Sequence, residues 1–70
     1  MNYPKYFQFN GNKYCTYNEI SLLDLVQYFN YNSPLFVLEY NNFICNKNKW
    51  KNTFIKNNDI LEIVTIVGGG

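Results

Sequence analysis

Only one stretch of the chain carries apolar residues at helical spacing, and that limits how its strands can be covered. Leu22, Leu25, Val26 and Phe29 fall at i, i+3, i+4 and i+7, an apolar stripe one face wide. Ser21 begins this helix and caps it through its hydroxyl, with Asp24 three residues on as a weaker form of the capping-box glutamate. Asn30 to Ser33 ends it, and Pro34 forbids continuation. Such a stripe could bind a partner helix. It is expected to cover the chain's own sheet, because nothing else in the sequence can bury the strands.

The flanking segments read as short strands joined by tight turns. Lys5-Tyr6-Phe7-Gln8-Phe9 alternates, with Phe7 and Phe9 on one face, and Asn10-Gly11 is a hairpin signal. Lys13 to Tyr17 makes the return strand, where Tyr14 and Tyr17 are expected to pack across strands rather than stack on bases. Leu35 to Tyr40 is a third strand, Asn41-Asn42 a turn tolerating positive φ, and Phe43-Ile44-Cys45 a short return. Asn46 to Thr53 is polar except for Trp50, which is expected to plug one end of the core. Asn57-Asn58-Asp59 then turns the chain into its last strand. With one helix, a single sheet must wrap it on one face, an α+β arrangement.

The last strand, from Ile60 to Val67, is apolar on both faces, as expected for a central position. Leu61 and Ile63 share one face, while Glu62, Val64 and Ile66 share the other. Glu62 should not face the core, so Val64 and Ile66, with Val67 beyond them, are expected to form an outer docking patch. Three glycines follow, Gly68, Gly69 and Gly70. Glycines at a chain end are commonly no more than a frayed terminus. They also suit a handle for another protein's active site, since three extended residues reach roughly 10 Å through a channel that side chains would block.

Composition narrows the chemistry. A domain of 70 residues buries only about 60% of its unfolded surface, so its core must be dense; 47% hydrophobic and 20% aromatic residues supply that. The chain has no histidine and a formal net charge of +1, which removes the commonest general base and metal ligand. It also has no basic block to track a nucleic-acid backbone. Cys15 and Cys45 lack CxxC spacing and are expected to be small, buried or half-buried fillers in a reducing compartment. There is no signal-peptide pattern and no apolar run of membrane-spanning length. A soluble, cytoplasmic protein is expected, or a plastid stromal one if the gene is organellar; the heavy use of Asn, Lys, Ile, Tyr and Phe hints at an AT-rich genome.

Taken together, these residues resemble the ThiS family, the small ubiquitin-like sulfur carriers of thiamine biosynthesis. The likeness runs from Phe7 to Gly70. It includes Phe9-Asn10-Gly11, the helix from Ser21 through Phe29, and Phe36-Val37-Leu38-Glu39-Tyr40-Asn41. Most specific is Asn58-Asp59-Ile60-Leu61-Glu62-Ile63-Val64 followed by Val67-Gly68-Gly69-Gly70. Asn42 and Asn58 stand where the family usually has glycine, and asparagine is the next best residue for left-handed backbone. Cys45-Asn46-Lys47 replaces a typical Val-Pro-Arg, which puts any contact of that arginine in doubt.

The resemblance implies the β-grasp fold: a mixed sheet of four to five strands on one main helix over residues 1–67, with 68–70 as a flexible tail. It implies a carrier, not an enzyme, with no bound cofactor and no metal. The Gly70 carboxyl group is adenylated with ATP by an E1-like activating enzyme (ThiF), with Gly68 and Gly69 threading its active site. A persulfide donor then supplies sulfur, leaving a 1-thioglycine thiocarboxylate for the thiazole synthase (ThiG). The chemistry is consistent with the tail, because an ionised carboxylate, with a pKa near 3.5, is a poor electrophile until activated. The nearest alternatives are the small subunit of molybdopterin synthase and a ubiquitin-like protein modifier. The short length and Val-Gly-Gly-Gly ending favour the thiamine carrier. No nucleic-acid or membrane partner is expected.

Overall fold

Paired left-handed residues set the hairpins. Asn10 and Gly11 have φ of 53° and 81°, and Asn41 and Asn42 have 52° and 75°; positive φ at both central positions matches the right-handed twist of the flanking strands. The structure, a computed structural model, describes residues 2–31 and 35–65. Its elements are β1 (Lys5–Phe9), β2 (Asn12–Thr16), α1 (Leu22–Tyr28), β3 (Phe36–Tyr40), β4 (Phe43–Cys45), a 3₁₀ helix (Lys47–Asn52) and β5 (Asp59–Thr65). The five strands form one sheet in the order β2-β1-β5-β3-β4. The last strand is central, as its apolar character predicts, running parallel to β1 and antiparallel to β3.

Helix α1 begins as its sequence dictates. The Ser21 hydroxyl accepts from the Asp24 N–H at 3.1 Å, and the Asp24 carboxylate accepts from the Ser21 N–H at 3.0 Å. Both bonds of the capping box are made, so the shorter aspartate reaches as glutamate would. The helix stops at Asn30, as expected. Asn30 takes φ of 61°, and the N–H groups of Asn30 and Tyr31 turn back to the carbonyls of Gln27 and Val26, a Schellman closure. Pro34 lies outside the described residues.

One sheet face and the helix enclose the core. Phe7 and Phe9 of β1, Leu38 of β3 and Leu61 of β5 pack with Leu22, Leu25 and Val26 of α1. Phe29 is half-buried against Phe9, with ring centroids 4.8 Å apart. Trp50 is buried, stacks on Phe36 at 5.8 Å and donates its indole N–H to the Cys45 carbonyl at 2.8 Å. Its core role is borne out. Sequence periodicity did not show that a 3₁₀ helix delivers it, nor that Ile55 seals the core beside it.

Two expectations fail. Tyr17 lies beyond β2 and is exposed, because the Thr16 hydroxyl accepts from the Asn18 N–H at 3.1 Å and closes a turn there. Tyr14 does pack across strands, stacking on Phe7 at 5.8 Å. Cys15 is exposed rather than buried, since it sits on the outward parity of the edge strand opposite Tyr6; Cys45 is half-buried.

Candidate functional site

The pleat of β5 sorts its side chains into two populations. Asp59 and Leu61 are buried and Ile63 is half-buried on the helix side, while Ile60, Glu62 and Val64 are exposed on the other. The expected division of this strand is therefore what the backbone makes, and Val64, 38% accessible, lies on the outer face. Ile66, Val67, Gly68, Gly69 and Gly70, expected to complete the docking patch and the reactive tail, lie outside the described residues.

Cross-strand register shows what surrounds Val64. Val37 pairs with Val64, Glu39 with Glu62, and Glu39 also with Ile44 of β4. On the other flank Gln8 of β1 pairs with Ile60. Ile44 and Ile60 are 63% and 45% accessible. The outer face is thus a β-branched surface with two glutamates at its centre. Val37, Glu39, Ile44 and Ile60 were not expected from sequence as part of this patch; the apolar run Phe36-Val37-Leu38 hides the strand's parity, which only the inward packing of Phe36 and Leu38 reveals.

A buried carboxylate fixes which face is which. Asp59 is buried and opens β5. It accepts from the Tyr40 hydroxyl at 2.8 Å, the Asn41 amide at 3.1 Å and the Lys56 N–H at 2.7 Å. The Asn41 side-chain oxygen in turn accepts from the Ile60 N–H at 2.8 Å, so turn and strand lock together. A slip of one residue would exchange the two faces of a strand; this knot opposes it. Burial, then the hydrogen bond to Asp59 and the charge at Asp59 and Cys45, push the Tyr40 phenol from 10.0 up to about 12. The hydroxyl keeps its proton and remains a donor.

Among the described residues, no group of three or more His, Cys, Asp or Glu side chains is placed to hold a metal ion, and no helix is long and apolar enough to cross a membrane. What the arrangement offers chemically is a surface: a stiff central strand with an amphipathic outer face, continuing in sequence toward three glycines.

Comparison with known proteins gives this geometry a context. The model of the ThiS family matches residues 7–70. The uncharacterized protein ycf40 of Trieres chinensis is 62% identical over 66 residues, spanning 94% of this chain and 90% of the relative. The protein of the same name in Pyropia yezoensis is 35% identical over 63 residues, spanning 90% and 89%. Among solved structures, the thiamine biosynthesis protein ThiS of Geobacter metallireducens matches with a TM-score of 0.78 at 18% identity, covering 93% of this chain and 99% of that one. At that identity the likeness speaks for the fold, and the fold is β-grasp.

Proposed function

This chain belongs to the ThiS family, and we propose that it is the sulfur carrier for thiazole formation in thiamine biosynthesis. The observation that carries the reading is that the family match runs through residue 70. The scaffold beneath it agrees, since its central strand runs toward that end between two neighbours.

The carrier works by presentation. A Gly70 carboxylate oxygen attacks the α-phosphate of ATP on an E1-like activating enzyme of the ThiF type, releasing pyrophosphate. The terminal sulfur of a persulfide then displaces AMP from the acyl carbon. A thiol cleaves the resulting acyl disulfide, supplying the electrons that leave a C-terminal thiocarboxylate and a disulfide. A thiazole synthase of the ThiG type receives that sulfur. Gly68 and Gly69 give the end the narrow profile needed to enter such sites, and Val64, Ile66 and Val67 dock beside them. Groups that move protons and stabilise charge belong to the partner enzymes. The cytoplasm, or the plastid stroma if the gene is organellar, supplies the reducing setting.

The test is intact-mass analysis after incubation with activating enzyme, ATP and a sulfur donor. The mass should rise by one oxygen-to-sulfur exchange located in the C-terminal peptide, and a chain lacking Gly70 should keep its Tm but gain no sulfur. A mass that never changes, or a ladder of protein conjugates on denaturing gels in place of one band, would overturn the carrier reading. Co-purification with a large molybdopterin-synthase subunit instead of a thiazole synthase would redirect it to the other cofactor.

A further inference from the structure

The outer sheet face carries a conflict that folding alone does not resolve. Glu39 and Glu62 are direct cross-strand partners on β3 and β5, which places their Cβ atoms roughly 5 Å apart. Like charges so placed are destabilising. Neither carboxylate has an ion-pair partner among the described residues, where the ion pair formed is Lys5 with Glu19, at 3.2 Å. Around the two glutamates stand Val37, Val64 and Ile44, the first two directly opposed and Ile44 opposite Glu39. Apolar neighbours make a charge contact stronger and more selective once a partner covers them and excludes water.

We propose that this face docks on the activating enzyme through an arginine whose guanidinium enters between Glu39 and Glu62, flanked by Val37, Val64 and Ile44. The planar fork of arginine offers several donors at fixed angles and so serves two carboxylates at once, which a lysine ammonium does less well. The choice of partner follows from charge. An enzyme that brings a carboxylate up to the phosphates of ATP must line that approach with cations. The carboxylate pair at the centre of the face, with Lys13 two strands away opposite Gln8, is attracted to such a surface and is oriented by it. Repulsion retained in the free carrier becomes attraction in the complex. The inference rests on the carrier reading given above and names the partner chemistry of its docking face.

The test pairs a stability measurement with a binding one. The double variant Glu39→Gln, Glu62→Gln keeps shape and removes charge; its Tm should equal or exceed that of the wild type, while its affinity for the activating enzyme falls about thirtyfold or more. The Glu62→Lys variant should also hold its Tm and bind more weakly still. Raising salt should weaken wild-type binding far more than binding of the double variant. A double variant that binds and gains sulfur as the wild type does overturns the docking inference alone. A wild-type chain that neither binds the activating enzyme nor gains sulfur overturns the carrier reading and the docking inference with it.

Discussion

The two faces of β5 meet opposite demands within seven residues. On the inner side Leu61 has no exposed surface, and Asp59 accepts three hydrogen bonds from three different residues. On the outer side Ile60, Glu62 and Val64 face solvent, and Glu62 lies opposite another glutamate. The inner face is packed and hydrogen-bonded within the chain; the outer face keeps exposed apolar area and two facing carboxylates. The difference separates what holds the protein together from what it leaves exposed.

The sharpest way to break this comparison is Leu61→Ala. The side chain is fully buried at the middle of the core, so the variant should lose about 2–5 kcal/mol by denaturant titration. A loss comparable with that of an outer-face substitution would erase the distinction between the faces.

Tyr40→Phe probes the knot beneath β5 and should cost about 1.5–3 kcal/mol near neutral pH, because it removes a hydrogen bond to a carboxylate. Its pH dependence is more specific. The folded protein holds the phenol proton until about pH 12, whereas the unfolded chain releases it near 10.0. The stabilisation is therefore complete below pH 10 and is lost as pH rises toward 12. Stability difference curves for wild type and Tyr40→Phe should converge over that window; parallel curves would mean that burial and Asp59 do not hold the phenol proton in the folded protein.

At the small end, Val64→Thr keeps the β-branched shape on the outer face and should change stability by no more than about 0.5 kcal/mol. A larger loss would mean that Val64 belongs to the packing of the domain and not to its docking surface.

Much of this division was legible in the residues. The alternation of Ile60 to Val64 placed Leu61 inward and Val64 outward, the Asn-Gly and Asn-Asn pairs placed the hairpins, and Ser21 with Asp24 placed the helix start. The burial of Asp59 was not legible, because its donors come from Tyr40, Asn41 and Lys56 and meet only when β3 and β5 pair. The exposure of Cys15 had the same origin: its parity is set by Tyr6 across the hairpin and by the helix lying on the other side. The Glu39–Glu62 opposition needed register, which no local pattern fixes across strands separated by β4 and the 3₁₀ helix.

Among the described residues, five left-handed positions, Asn10, Asn30, Asn41, Asn42 and Asn58, are filled by asparagine, and Gly11 fills a sixth. Asparagine accepts that backbone at modest strain and has fewer conformations to surrender from the denatured ensemble than glycine has. Its amide also does what a hydrogen atom cannot: Asn10 accepts from the Ile63 N–H and Asn41 from the Ile60 N–H, each at 2.8 Å. Of the four glycines in the chain, only Gly11 lies among the described residues. Within the described residues, left-handed backbone is thus held at Asn10 and Asn41 by side chains that also bond, whereas Gly11 holds it with none.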